Sequence, residues 1–81
     1  MKNANKKQEK KLIFVGFDSW ERPVYEDENG RLWKDVDPRP GHLSDRNICS
    51  ALNNYFDGEP DTPITVSHDY CLVFIPERVT W

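Results

Sequence analysis

Apolar residues are scarce in this chain: 37% of its 81 residues are hydrophobic, and no uninterrupted apolar run exceeds six residues. A membrane-spanning helix needs about 20, so none is expected. KKLIFVGFD sets lysines before an apolar run as a signal peptide would, but Asp18 ends the run and no small-residue cleavage site follows. There are two cysteines, Cys49 and Cys71, too few for a disulfide framework, which points to reduced thiols in a cytoplasmic protein. Also missing are a Cys-x-x-Cys knuckle, a phosphate loop, a dinucleotide fingerprint and a nucleophile elbow. These absences exclude the familiar catalytic classes and leave a small soluble binding domain as the expectation.

What is present is aromatic and charged. Ten of the residues are Phe, Trp or Tyr, and 31% are charged. Disordered chains are poor in rings, so a packed core is expected. A chain of this length buries only about 60% of its unfolded surface, so a few large rings must supply much of that core. The net charge of −3 divides unevenly. Residues 1–11 carry five Lys and one Glu (+4), and residues 12–81 carry the remaining −7. Residues 1–10 read as a disordered basic tail and 11–81 as a single domain. The acidic body disfavours generic phosphate-backbone binding, which needs a basic face.

Lys11–Asp18 reads as a strand buried on both faces. Asp18-Ser19-Trp20-Glu21 is a turn, and Pro23 opens the next strand. In RPVYEDENGRLWKD, Asn29-Gly30 marks a hairpin. A two-residue loop would pair Tyr25 with Lys34, and a four-residue loop Val24 with Trp33. A three-residue loop with Gly30 as left-handed bulge pairs Tyr25 with Trp33 and Asp27 with Arg31. The last gains one aromatic and one opposite-charge pair, each worth about 0.2–1 kcal/mol, and is preferred. The expectation is Trp33 turned inward and the tip from Asp27 to Arg31 exposed.

After the rigid stretch Asp37–His42, a helix is expected over 44–56. Ser44 is placed as N-cap, Asp45 lies in the first turn, and Leu43 and Ile48 are spaced as a hydrophobic staple. Ile48, Ala51, Leu52, Tyr55 and Phe56 would form its apolar face, Gly58 its stop, and residues 57–63 a loop. Ile64–Val66 and Val79–Trp81 are possible short strands, and Tyr70–Ile75 is a second buried one. The fold expected is α+β: a small antiparallel sheet of four or five strands with one helix packed on one face. The runs 12–17 and 71–75 would lie side by side at its centre, flanked by the hairpin. The alternative is a small SH3-like barrel with the helix inserted.

No cofactor is expected. His42, Cys49, His68 and Cys71 lack the spacing of a zinc site, and cysteines in apolar segments are usually buried small hydrophobes. Carboxylates alternate along Asp57-Gly58-Glu59-Pro60-Asp61 but without a calcium loop's length or distal Glu. Cys49 near a helix start with His42 upstream could make an activated thiol, yet no oxyanion donor or orienting group accompanies it, and no enzyme is expected. Trp20-Glu21 with a later Gly30-Arg31 has a superficial likeness to WW domains, but the middle-strand aromatics of that pattern are absent. The candidate partner-binding residues are Trp20, Tyr25, Asp27, Glu28, Arg31, Trp33, Asp57, Glu59 and Asp61, since Trp, Tyr and Arg dominate binding hot spots.

The segments FDSWERPVYEDENGRLWKDVD and ALNNYFDGEPDTPI resemble a family of small uncharacterised proteins of Gram-positive gut bacteria, often carried near mobile or phage-derived elements. The resemblance spans residues 12–81 and brings no assigned activity and no catalytic residue. It implies a bacterial, cytoplasmic accessory protein of a mobile element. The leading functional expectation is a non-catalytic module that binds another protein. The runner-up is a nucleic-acid-related role, in which the acidic body mimics DNA or the Lys-rich tail touches nucleic acid weakly.

Overall fold

The computed structural model describes residues 8–66 and 70–80. Six strands form one mixed sheet: β1 (Gln8–Phe17), β2 (Pro23–Glu26), β3 (Leu32–Asp35), β4 (Ile48–Ala51), β5 (Pro60–Pro63) and β6 (Tyr70–Ile75), in the order β5-β4-β3-β2-β1-β6. Neighbours are antiparallel except β1 and β6, which run parallel. The expected α+β architecture is therefore wrong. Among the described residues the helical pieces are two single 3-10 turns, Asp45–Asn47 and Leu52–Asn54, and no helix packs on the sheet.

The local signals at residue 44 are real but short-lived. Ser44 Oγ accepts from Arg46 N–H, as an N-cap should, and the turn then ends at Ile48. Two forces take the chain out of the helix. Helix nuclei this short are marginal without tertiary support, and the open edge of β3 holds unpaired backbone groups that need a partner. Pairing Trp33 with Ser50, Lys34 with Cys49 and Asp35 with Ile48 satisfies that edge. It also buries all four residues of β4, whereas a helix would bury one stripe. Leu43, half of the expected staple, is exposed. Asn53 (φ 55°) and Asn54 (φ 57°) then take the left-handed conformation that Asn tolerates and turn the chain back.

The hairpin follows the three-residue register. Tyr25 faces Trp33, Asp27 N–H donates to Arg31 O at 3.0 Å, and Gly30 sits at φ 81°. The tip is less exposed than expected, because Asp27 is buried. Its Oδ1 accepts from the N–H groups of Asn29 and Arg31, and its Oδ2 from Trp33 Nε1. Lys10 adds an ion pair at 3.3 Å, so Gln8–Lys10, expected in the tail, belong to β1. The tail's residues 1–7 lie outside the described residues.

Other expectations also shift. β1 is buried on one face rather than two: Leu12 is buried, while Ile13, Val15 and Phe17 are exposed. β6 does lie beside β1, but as an edge strand and in parallel. β5 occupies part of the expected 57–63 loop, with its prolines on a sheet edge, where they are tolerated. Ile64–Val66 forms no strand, and Ile64 instead enters the core with its N–H on Ile48 O. Val79 and Thr80 are likewise not a strand, and Trp81 lies outside the described residues.

The core gathers on one sheet face. Leu12, Tyr25, Ile48 and Ile64 are buried there, with Phe14, Trp33, Leu72 and Phe74 packed around them. Tyr25 meets Phe14 and Phe74 edge-on, with centroids 5.8 and 5.0 Å away. Such contacts add about 0.5–1.5 kcal/mol each beyond the area they bury. The opposite face carries a row in register across five strands: Gly16, Val24, Lys34, Cys49 and Pro63. Lys34 at the middle of that row holds the two loops of the candidate site.

Candidate interaction surface

Residues 18–22 close on themselves. Asp18 N–H donates to Arg22 O and Glu21 N–H to Asp18 O. Asp18 Oδ1 accepts from the N–H groups of Trp20 and Arg22, both at 2.9 Å, the Asx habit of bonding its own downstream backbone. Its Oδ2 accepts from Arg22 Nε at 2.8 Å and Lys34 Nζ at 2.6 Å. Glu21 is held at φ 63°, a conformation uncommon for a non-glycine residue. Every turn of this loop is pinned, yet the side chain at its apex points to solvent: Trp20 is 71% exposed, with the Arg22 guanidinium 6.0 Å from its ring. Arg22 Nη2 is buried without a hydrogen-bond partner among the described residues.

A second loop is tied to the first. Lys34 Nζ also donates to Phe56 O at 2.7 Å, and Ser19 N–H donates to Asp57 Oδ1 at 2.9 Å. The Phe56 ring lies over Gly16, where an added Cβ would come within 3.2 Å of it. Tyr55, next along the chain, is 68% exposed. Trp20, Tyr55 and Phe56 thus present exposed ring surface on the two loops tied by one buried charge pair, whereas Phe17, at the end of β1, packs edge-on against Phe14 of the core. Single exposed hydrophobics are ordinary, but three aromatics on two bonded loops are a feature of interaction surfaces.

The electrostatics suit scaffolding rather than proton transfer. Burial by itself would raise the Asp18 carboxyl. Hydrogen bonds from Lys34, from the backbone and side chain of Arg22 and from Trp20 N–H outweigh it and hold the group at about 2. Asp27 shows the same balance: burial pushes up, and the Trp33, Arg31, Asn29 and Lys10 donors pull it below the ordinary value. Both are anchored anions with their lone pairs taken. The Cys49 thiol is pushed up by burial and by nearby Asp35, the opposite of an activated nucleophile, and His42 is exposed. Among the described residues no three His, Cys, Asp or Glu side chains gather as metal ligands. His68 lies outside those residues.

The nine residues singled out in the sequence separate into distinct places. Trp20 and Asp57 belong to the two bonded loops, joined through Ser19 N–H and Asp57 Oδ1. Tyr25 is fully buried and offers nothing to a partner, and Asp27 is the hairpin's internal acceptor. Arg31, Trp33 and Asp61 line an open groove of about 400 Å³ on the core side, with Lys10 5.8 Å over the Trp33 ring. Glu28 and Glu59 are exposed outside both. Asp18, Lys34, Tyr55 and Phe56 were missed. The last two looked like a helix face, and the Lys34–Asp18 contact, spanning 16 positions, leaves no local trace. Asp18 before Trp20 was the one available signal, as an Asx turn that would aim the ring outward. No family model, curated protein or solved structure matches the chain.

Proposed function

We propose that this chain is a non-catalytic protein-interaction module that meets its partner through the face made by Trp20 and Tyr55. The observation that carries the reading is the 71% exposure of Trp20 on a loop whose backbone is fixed by a buried carboxylate. A large ring presented by a rigid frame loses little freedom on binding, which is what a preorganised hot spot needs. Arg22 beside the ring, with its guanidinium 6.0 Å from the ring centroid, adds a positive charge next to it.

The partner is another protein rather than a nucleic acid. Asp18, Asp27 and Asp35 are buried, and each is engaged with internal donors, so they contribute no charge to a phosphate-mimicking face. We further place the protein in the bacterial cytoplasm as an accessory of a mobile element, in keeping with the family resemblance and with two free thiols. No helix among the described residues is long and apolar enough to cross a membrane.

The test is affinity capture from a native extract, identification of the bound protein, and titration of that protein against variants. Trp20→Ala and Tyr55→Ala should each weaken binding by about tenfold or more, the loss typical of a hot-spot truncation, with an unchanged circular dichroism spectrum. Undiminished binding by Trp20→Ala would refute the reading.

A further inference from the structure

The two edges of the sheet are built differently. At one, β5 reads Pro60-Asp61-Thr62-Pro63: two prolines and a charge, the devices by which sheets discourage further pairing. At the other, β6 reads Tyr70-Cys71-Leu72-Val73-Phe74-Ile75, with neither proline nor charge. It pairs with β1 on one side and ends the sheet on the other, and among the described residues no backbone hydrogen bond reaches its outer side. The described chain does not fold back to cover that side. Beyond Pro76, Arg78 bonds Asp35 and Ser44 O, and Val79 N–H bonds Tyr25 OH, all away from the β6 edge. Ile13 and Ile75, adjacent in the β1–β6 register, are 49% and 42% exposed beside it.

We infer that the outer edge of β6 pairs antiparallel with β6 of a second copy of this chain, joining two six-stranded sheets into one. The backbone groups of a free edge are satisfied by another strand, and a closed twofold pair uses the same patch twice. A twofold normal to the sheet keeps like faces together, so the register must centre on a single residue. Centred on Val73, it sets Cys71 of one copy opposite Ile75 of the other, and Leu72 opposite Phe74. Every one of these contacts is apolar and none opposes like charges, which would be destabilising. That absence of charge is what makes this edge compatible with itself. β5 could not do the same, because Pro60 and Pro63 have no N–H to donate. The pairing involves neither Trp20 nor Tyr55, so it stands or falls apart from the interaction face.

Sedimentation equilibrium of the full chain, with amide hydrogen exchange over a range of concentrations, tests the inference. The expected result is a reversible dimer whose added protection at higher concentration is confined to residues 70–75. Val73→Lys should weaken dimerisation by about tenfold or more by opposing two ammonium groups on the axis, with near-UV circular dichroism showing that the monomer stays folded. Val73→Cys combined with Cys71→Ser should form an interchain disulfide under mild oxidation, because directly opposed Cβ atoms lie about 4.5–5.5 Å apart. This second variant keeps the test decisive if Val73→Lys fails to fold. A monomer at every concentration overturns the inference. So does a dimer whose protection lies elsewhere, or one in which the Val73→Cys variant fails to cross-link.

Discussion

Lys34 Nζ lies 2.6 Å from Asp18 Oδ2, and neither side chain reaches solvent. The pair connects the middle of the sheet to the loop that carries Trp20, and its third member, Phe56 O, brings in the loop that carries Tyr55. The two loops are thus held from behind by a buried contact as well as by the exposed bond from Ser19 N–H to Asp57 Oδ1.

Removing one partner of a buried ion pair leaves an uncompensated charge and costs about 3–5 kcal/mol. Asp18→Ala should fall in that range, because the Lys34 ammonium would keep only Phe56 O. Lys34→Met should cost less, since Asp18 keeps Arg22 and two backbone donors. The double variant Asp18→Ala/Lys34→Met should be more stable than Asp18→Ala alone. Urea unfolding of the three variants measures the order.

Acid should unfold the chain through these same carboxylates. The folded-state values of Asp18 (about 2) and Asp27 lie below the ordinary 3.8, so the unfolded chain takes up protons first as pH falls. Both contributions are present above the ordinary value and are lost as pH falls below it, that of Asp18 as pH passes down through about 2. For Asp18 that loss is about 2 kcal/mol. Urea midpoints followed down through this window should drop steeply in the wild type and less steeply in Asp18→Asn.

Asp27 organises the hairpin from inside, with Asn29 N–H, Arg31 N–H, Trp33 Nε1 and Lys10 Nζ all directed at it. Asp27→Ala should cost about 1.5–3 kcal/mol, the range for hydrogen bonds to a charged group, and should alter Trp33 fluorescence. Glu28→Ala, one residue along and exposed, should change stability by less than about 0.5 kcal/mol.

Two aromatics sharpen the division between frame and surface. Tyr25→Ala should cost about 3–5 kcal/mol, as large core truncations do. Tyr25→Phe should cost about 1 kcal/mol by removing the acceptor for Val79 N–H. Trp20→Ala should leave the unfolding midpoint nearly unchanged. Thermal unfolding of the three variants gives the comparison.

Gly30 at φ 81° closes the hairpin. Gly30→Ala should destabilise by about 1 kcal/mol or more because a Cβ is strained there, whereas Asn29→Ala, its neighbour in the same loop, should do less. Chemical denaturation separates the two.

Some of this was legible in residue order alone. The three-residue hairpin followed from Asn29-Gly30 and from the partners that each register offers, because turn chemistry and cross-strand pairing act over a few residues. The cap at Ser44 is legible for the same reason. The helix over 44–56 was wrong because Ile48, Ala51, Leu52, Tyr55 and Phe56 satisfy helical spacing by position while the open edge of β3 competes for the backbone. A local pattern cannot register that edge. Nor could it show that Lys34, a lysine in a charged segment, would be buried against Asp18, or that the loop carrying Tyr55 and Phe56 would be bonded to the loop carrying Trp20. The order of residues by itself determined the hairpin turn, the cap at Ser44, the acidic balance and the two apolar strands. The tertiary structure decided which face each ring took and which loops met, because burial and backbone pairing are settled between segments far apart in the chain.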